Sequence, residues 1–408
     1  MNTDHDELER LLGEELHDRA GDIGGARLHL GDVRGRATSI RRRRRFAAGI
    51  VAAAVMALAV PVGLNLADGT TQNSPPVAPS PDPTPAPTPQ ADGSFLLTIK
   101  GLPTGQPAKI GYTRLDQKQL VMPGKTFDTP EAYQEITPYG TDGWLALRGG
   151  DYPPTGHQVV ELNADFEVVR AASAGSSLAL SSNAGQVAWV ELEEGRSVLA
   201  IGSTDGSAPM RTDLGDGVAH PVGFLPDDRV VFANTDQATA EQSFGLVAPD
   251  GTVTAFSGFL TLNDASDVNG LVAGQTDYRR DGTSCAGVLA NSGMAWETCD
   301  YTLGRFSPDG RYVVGLANQY DGTGSPTVSI LDAATGDPLV DFRPADGTYV
   351  GVDQVEWEDE DTILATVTQA SEQALLRLDM DGRIELVDGP FRLSELEIKL
   401  RFAEHPVG

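Results

Sequence analysis

The residues of this chain that could do chemistry are few, and their spacing completes no established set. Pro123-Gly-Lys-Thr126 has the end of a phosphate-binding loop, but Gln119 stands where the first glycine would let backbone wrap a phosphate, so the stretch reads as a turn. Asp267-Val-Asn-Gly270 has the middle of a calcium loop, yet Ala265 and Thr276 replace the outer ligands, which leaves a hairpin turn. His157, His220 and His405 are too widely spaced to suggest a metal set. Glu356, Glu358, Asp359, Glu360 and Asp361 form an acidic run that reads as a solvated turn, with a weak cation or basic-partner site as the minority reading. There is no Gly-x-Ser-x-Gly elbow and no His-Glu-x-x-His. The sequence therefore predicts no catalytic residue, no cofactor-binding residue and no metal ligand.

The only cysteines are Cys285 and Cys299. Asn291-Ser-Gly293 between them reads as a turn joining neighbouring strands, and antiparallel pairing would bring the two within disulfide range. Without a Cys-x-x-Cys, a structural staple is expected rather than redox catalysis.

The elements that carry these residues are set by the stretch 41–66. Arg41, Arg42, Arg43, Arg44 and Arg45 run into an uncharged apolar segment, 46–66, of 21 residues. As a helix it reaches about 32 Å, one bilayer core. Clustered arginines stay on the cytoplasmic side, so the sequence predicts a single-pass cell-membrane protein with a cytoplasmic N-terminus and an extracellular C-terminal domain. The alternative is a cleaved secretory signal, since Ala57-Leu-Ala59 has the small-x-small form. The length of the leader and the continuation of the apolar run past Ala59 favour a retained anchor.

Residues 1–45 carry ten Arg against nine Asp and Glu, so the net charge of −28 lies outside. An acidic outer part excludes nucleic acid and anionic lipid as its partners. In the inner tail Leu8, Leu11, Leu12 and Leu16 make one apolar stripe on a helix of about four turns. A helix this short is marginal alone in water, so it frays or docks on a cytoplasmic partner. Residues 67–94 contain eight prolines between Pro75 and Pro89. Such a run favours polyproline II and reads as a stalk of up to about 85 Å.

From residue 95 to 408 the apolar period changes from 3.6 to 2, and ten Asp-Gly pairs punctuate the chain. Trp144–Leu147, Val187–Val190, Val230–Ala233, Leu271–Ala273, Tyr312–Gly315 and Ile363–Thr366 start 43, 43, 41, 41 and 51 residues apart, each followed by a second apolar strand. This is the period of a propeller blade. The expected fold is all-β, a β-propeller of about seven four-stranded blades; six or eight blades, or two stacked β-sandwiches, are the alternatives. Leu396, Ile398, Leu400 and Phe402 alternate with charged residues. They are expected to pair beside Phe95–Ile99 or to replace a missing strand, closing the ring. Trp144, Trp189, Trp296 and Trp357 are expected in blade cores.

Phe306-Ser-Pro-Asp-Gly-Arg-Tyr-Val-Val314 resembles the TolB-like, WD40-like propeller repeat, and Gly223-Phe-Leu-Pro-Asp-Asp-Arg-Val-Val231 is a degenerate copy. Elsewhere Ser181-Ser-Asn-Ala-Gly185 and Trp357-Glu-Asp-Glu-Asp361 fill the slot. The resemblance implies a β-propeller and no activity. The whole layout is similar to that of actinobacterial single-pass membrane-anchored proteins, some of them sigma-factor-linked. The expected function is binding of a protein or cell-wall ligand at a propeller rim, without cofactor or enzymatic activity. Two alternatives stand beside it. One is a transmembrane signal transducer or anti-sigma-like regulator acting through residues 1–45, which lack the cysteines of one zinc-binding class. The other is an extracellular hydrolase or lyase on a propeller scaffold.

Overall fold

The computed structural model describes residues 87–149, 156–279, 283–291, 293–318, 324–394 and 398–403, all within the compact unit Asp82–Gly408. Leu8, Leu11, Leu12 and Leu16, the arginines 41–45, the apolar segment 46–66, the stalk up to residue 86 and Leu396 lie outside the described residues. Among the described residues no helix is long and apolar enough to cross a membrane.

Apolar runs of period two, broken by Gly, Asp and Pro, form the strands. In chain order they are β1 (Phe95–Leu96), β2 (Tyr112–Arg114), β3 (Gln119–Met122), β4 (Lys125–Asp128), β5 (Glu135–Tyr139), β6 (Gly143–Arg148) and β7 (Gln158–Leu162). Next come β8 (Val168–Leu180), β9 (Gln186–Glu193), β10 (Arg196–Ser203), β11 (Met210–Asp216), β12 (Val218–Leu225), β13 (Arg229–Thr235), β14 (Gln242–Val247) and β15 (Val253–Phe256). Then follow β16 (Thr261–Ala265), β17 (Val272–Tyr278), β18 (Ser284–Ala290), β19 (Gly293–Thr298), β20 (Tyr301–Phe306), β21 (Tyr312–Ala317), β22 (Val328–Asp332) and β23 (Pro338–Arg343). The last five are β24 (Val350–Asp359), β25 (Thr362–Gln369), β26 (Glu372–Asp379), β27 (Ile384–Arg392) and β28 (Leu400–Phe402).

These strands make an all-β propeller. Three sheets, β12–β15, β16–β19 and β24–β27, are four consecutive antiparallel strands. A fourth, β20–β23, carries β1 in parallel on its outer edge, with Phe95 opposite Phe342. A fifth is closed by the C-terminus: β28 pairs antiparallel with β2, Tyr112 opposite Phe402, in the order β28-β2-β3-β4. The C-terminal segment thus replaces a missing strand and does not pair with Phe95–Ile99.

The expectation of seven separate four-stranded blades is corrected here. Five sheets stand as separate blades, and the sixth is a continuous seven-stranded sheet, β5 to β11. The cause is β8, 13 residues long, which pairs with β7 on one side and β9 on the other. No Pro or Asp-Gly interrupts Val168–Leu180, so nothing turns the chain out of the strand. Between β11 and β12, by contrast, Gly217 at φ +114° breaks the sheet; a Cβ there would meet Asn234 Oδ1 at 2.4 Å.

Buried apolar residues fall into clusters between neighbouring strand groups. Trp357, Ile363 and Leu376 pack against Val314, Ile330 and Phe342. Leu145, Leu147 and Val159 pack against Val187, Trp189 and Ala200, so the seven-stranded sheet folds on itself about β8. Trp144, Trp189 and Trp357 are buried as expected, whereas Trp296 lies half-buried on the outer strand β19 and donates Nε1–H to Ala333 O at 2.8 Å.

Residues 97–109 run as a strap outside β23 and β27 before β2 begins. Gln369 Oε1 accepts from Ile99 N (3.0 Å), Gly105 N donates to Leu386 O (2.9 Å), and Arg377 donates to Pro107 O (3.1 Å). Glu358, buried and paired with Arg377 at 2.5 and 2.7 Å, accepts from Lys109 N at 2.7 Å. The strap covers strand edges that would otherwise be open to pairing.

Candidate functional site

The centre of the ring is lined by β5, the second half of β8, β12, β16, β20, β24 and β28. Ring neighbours are linked by Ile136 N to Ala403 O (2.6 Å), Leu178 N to Glu135 Oε2 (2.6 Å) and Ser177 Oγ to Pro221 O (3.1 Å). Phe306 N donates to Asp264 Oδ2 (2.8 Å) and Phe402 N to Gln354 Oε1 (3.4 Å), continuing the circle.

Most of these strands carry a register break: at Ala174/Leu178, Pro221/Gly223, Leu262/Asp264, Leu303/Phe306 and Val352/Gln354. A bulge puts two residues opposite one and re-aims a side chain. Here it turns Asp264, Arg305 and Gln354 toward the axis of the ring.

Among the described residues, two cavities lie between these inner strands. The larger, about 250 Å³, is lined by Gln134, Glu135, Arg305, Gln354, Glu356 and Arg401, with Val355 and Phe402. The smaller lies beside Asp264, Ser182, Asp267 and Ser307, and Arg305 and Glu356 line both. Arg305 Nε stands 3.1 Å from Glu356 Oε2 and its NH1 3.6 Å from Asp264 Oδ1, so one guanidinium divides the channel. On the face where the inner strands end, Asp267 Oδ2 accepts from Ser182 N (2.6 Å) and Asn269 Nδ2 donates to Gly310 O (2.7 Å), lacing the turns together.

Asp264 is fully enclosed. Burial raises its pKa to about 6, against the opposing pull of Arg305 and the Phe306 amide. Burial also lowers His220 on β12, with the charge of Glu135 acting the other way.

The acidic run 356–361 is not one solvated turn. Glu356 and Glu358 are both 3% exposed, held by Arg305 and Arg377, and only the end of the run forms the β24–β25 turn. The reason is the strand period, which sends Glu356 and Glu358 inward on either side of buried Trp357. Pro123-Gly124 is the two-residue β3–β4 turn, with Gly124 at φ +74°. Asp267–Gly270 joins β16 to β17. Cys285 and Cys299 form a disulfide, S–S 2.01 Å, tying β18 to the residue after β19. Among the described residues no three His, Cys, Asp or Glu are grouped to hold a metal; His157 and His220 stand on separate segments.

Glu135, Asp264, Arg305, Gln354 and Arg401 were not singled out from sequence. The signal was present in Leu262-Asn-Asp-Ala265 and Leu303-Gly-Arg-Phe306, where a charge interrupts the apolar run of a first strand.

No known protein family and no curated protein matches this sequence. Solved structures do resemble it. An uncharacterised protein from Listeria monocytogenes EGD-e aligns at 9% identity and TM-score 0.47, over 72% of this chain and 88% of its own. The β-propeller domain of Myceliophteria thermophila Cps50 (Swd1) aligns at 10% identity and TM-score 0.43, over 63% and 86%. TolB from Acinetobacter baumannii aligns at 15% identity and TM-score 0.40, over 64% and 66%. At these values the likeness concerns the propeller fold alone.

Proposed function

We propose that the chain is a membrane-tethered, extracellular binding module built on a β-propeller, without enzymatic activity, whose ligand approaches the channel from one face. The tether reading rests on the arginine block and the uncharged segment 46–66.

The observation that carries the choice of face is the larger cavity together with the exposed apolar residues at one end of the inner strands. The larger cavity reaches Gln134, just before β5, on the face where the inner strands begin. That face also exposes Leu260 and Tyr349, each immediately before an inner strand.

The test is site-specific photo-crosslinking of the full chain in its membrane. A photoreactive residue at Leu260 or Tyr349 is expected to give a discrete adduct, and one at Leu339, at the start of outer strand β23, none. Adducts from Leu339 alone, or from no position, would overturn the reading. Protease added to intact cells is expected to remove the head; its protection would overturn the topology.

A further inference from the structure

The larger cavity has a definite chemical character, and several of its polar groups are held in place. Among the described residues its lining holds two carboxylates, Glu135 and Glu356, two guanidiniums, Arg305 and Arg401, and two carboxamides, Gln134 and Gln354. Formal charges cancel, so it offers no net attraction to a cation or an anion. Val355 and the aromatic Phe402 add an apolar strip beside these polar groups, as the mixed faces of a sugar ring require.

Glu135 is oriented by the Leu178 amide (2.6 Å), and Arg305 by Glu356 (3.1 Å). Gln354 accepts from Phe402 N through Oε1, which aims its NH2 group into the cavity. Carboxylate, guanidinium and carboxamide are all planar two-pronged groups, and such forks make paired hydrogen bonds. Adjacent hydroxyls on one ring present paired donors and acceptors at matching spacing. A volume of about 250 Å³ is below the ~300–1,000 Å³ of drug-sized sites, so it admits one ring and not an extended chain.

We infer that this cavity binds a small, neutral, polyhydroxylated ligand of single-ring size, a monosaccharide unit, free or at the end of a longer glycan. The inference rests on the binding-module reading and names the ligand class of that same site. Glu135, Arg305, Gln354, Glu356 and Arg401 supply the polar contacts to that ligand.

The test is saturation-transfer NMR on the full chain in lipid nanodiscs, with five probes: glucose, N-acetylglucosamine, glycylglycine, putrescine and citrate. Saturable binding of at least one of the two sugars is expected, with none of the charged or zwitterionic probes bound through the same residues. Gln354→Leu is expected to weaken it about tenfold, the loss of one hydrogen bond to an uncharged ligand. The conservative Gln354→Glu guards against misfolding: if both variants retain the wild-type melting temperature, lost binding belongs to the site. Glu360→Gln, in the β24–β25 turn on the other face, is expected to change nothing. A short oligomer of the bound sugar separates the sources: equal affinity per end group means terminal-unit recognition, and weaker binding means a free monosaccharide. Binding of glycylglycine or putrescine in place of sugar, sugar binding indifferent to Gln354→Leu, or no binding by any probe would overturn the inference. A surviving adduct at Leu260 would then show that only the ligand class has failed, whereas loss of both would remove the binding module as well.

Discussion

Glu191 and Asp264 are buried carboxylates that the structure treats in opposite ways. Glu191 is 1% exposed, and burial alone would raise its pKa. Hydrogen bonds from Arg170 (2.6 Å), Arg211 (3.1 Å) and Trp189 Nε1 (2.8 Å) overcome that and bring it to about 2. A lowered carboxylate contributes stability above its unfolded value, and that contribution is lost as pH falls from about 4.5 toward 2. Glu191→Ala is expected to lower stability by roughly 1–3 kcal/mol, since it strands the buried Trp189 donor and removes the partner shared by two arginines. Urea titration at neutral pH checks this. Asp264 has the opposite sign. Its pKa is raised to about 6, so folding gains stability as pH falls from about 7 toward 4, by about 3 kcal/mol for a shift of this size. Asp264→Asn is expected to abolish that slope in melting curves taken between pH 4 and 7; an unchanged slope would assign it to another group.

β8 and the N-terminal strap are the elements that depart from a simple succession of blades. β8 leaves one strand group and joins the next through the register break between Ala174 and Leu178. Gly175 lies in that break because a Cβ would meet Ala219 O on β12 at 2.3 Å. Gly175→Val must therefore push β8 and β12 apart. A loss of about 1–3 kcal/mol is expected, as for overpacking elsewhere, with urea titration the measurement. If Gly175→Val is neutral, β8 is not pinned against β12. The strap and β28 close the ring from both ends of the head, one along the outer edges of β23 and β27, the other as the inner partner of β2.

For the molecule as a whole, charge is the dominant property. Beyond residue 45 the chain carries 49 acidic against 20 basic residues. Self-repulsion keeps such a molecule dispersed at neutral pH. Solubility is expected to pass through a minimum near pH 4.4, where net charge vanishes; light scattering across pH 3–7 checks it. A minimum near neutrality would mean that apolar surface, not charge, governs association.

Much of this was decided by the sequence alone. Strand period and turn chemistry are local properties, so the all-β class, the repeat near 42 residues and the turns at Pro123-Gly124 and Asp309-Gly310 could be read directly. The alternation of Ile398, Leu400 and Phe402 likewise announced a half-buried strand at the C-terminus. Which strand it would join could not be read, because a partner some 290 residues earlier is chosen by ring closure and not by local pattern. The continuity of β8 depended on an absent turn signal, which weighs less in a sequence than a present one. The channel escaped for the same reason as the burial of Glu356 and Glu358. Whether a charge on a strand points to solvent or to an enclosed axis depends on which face the ring turns inward, and only the packed tertiary structure fixes that.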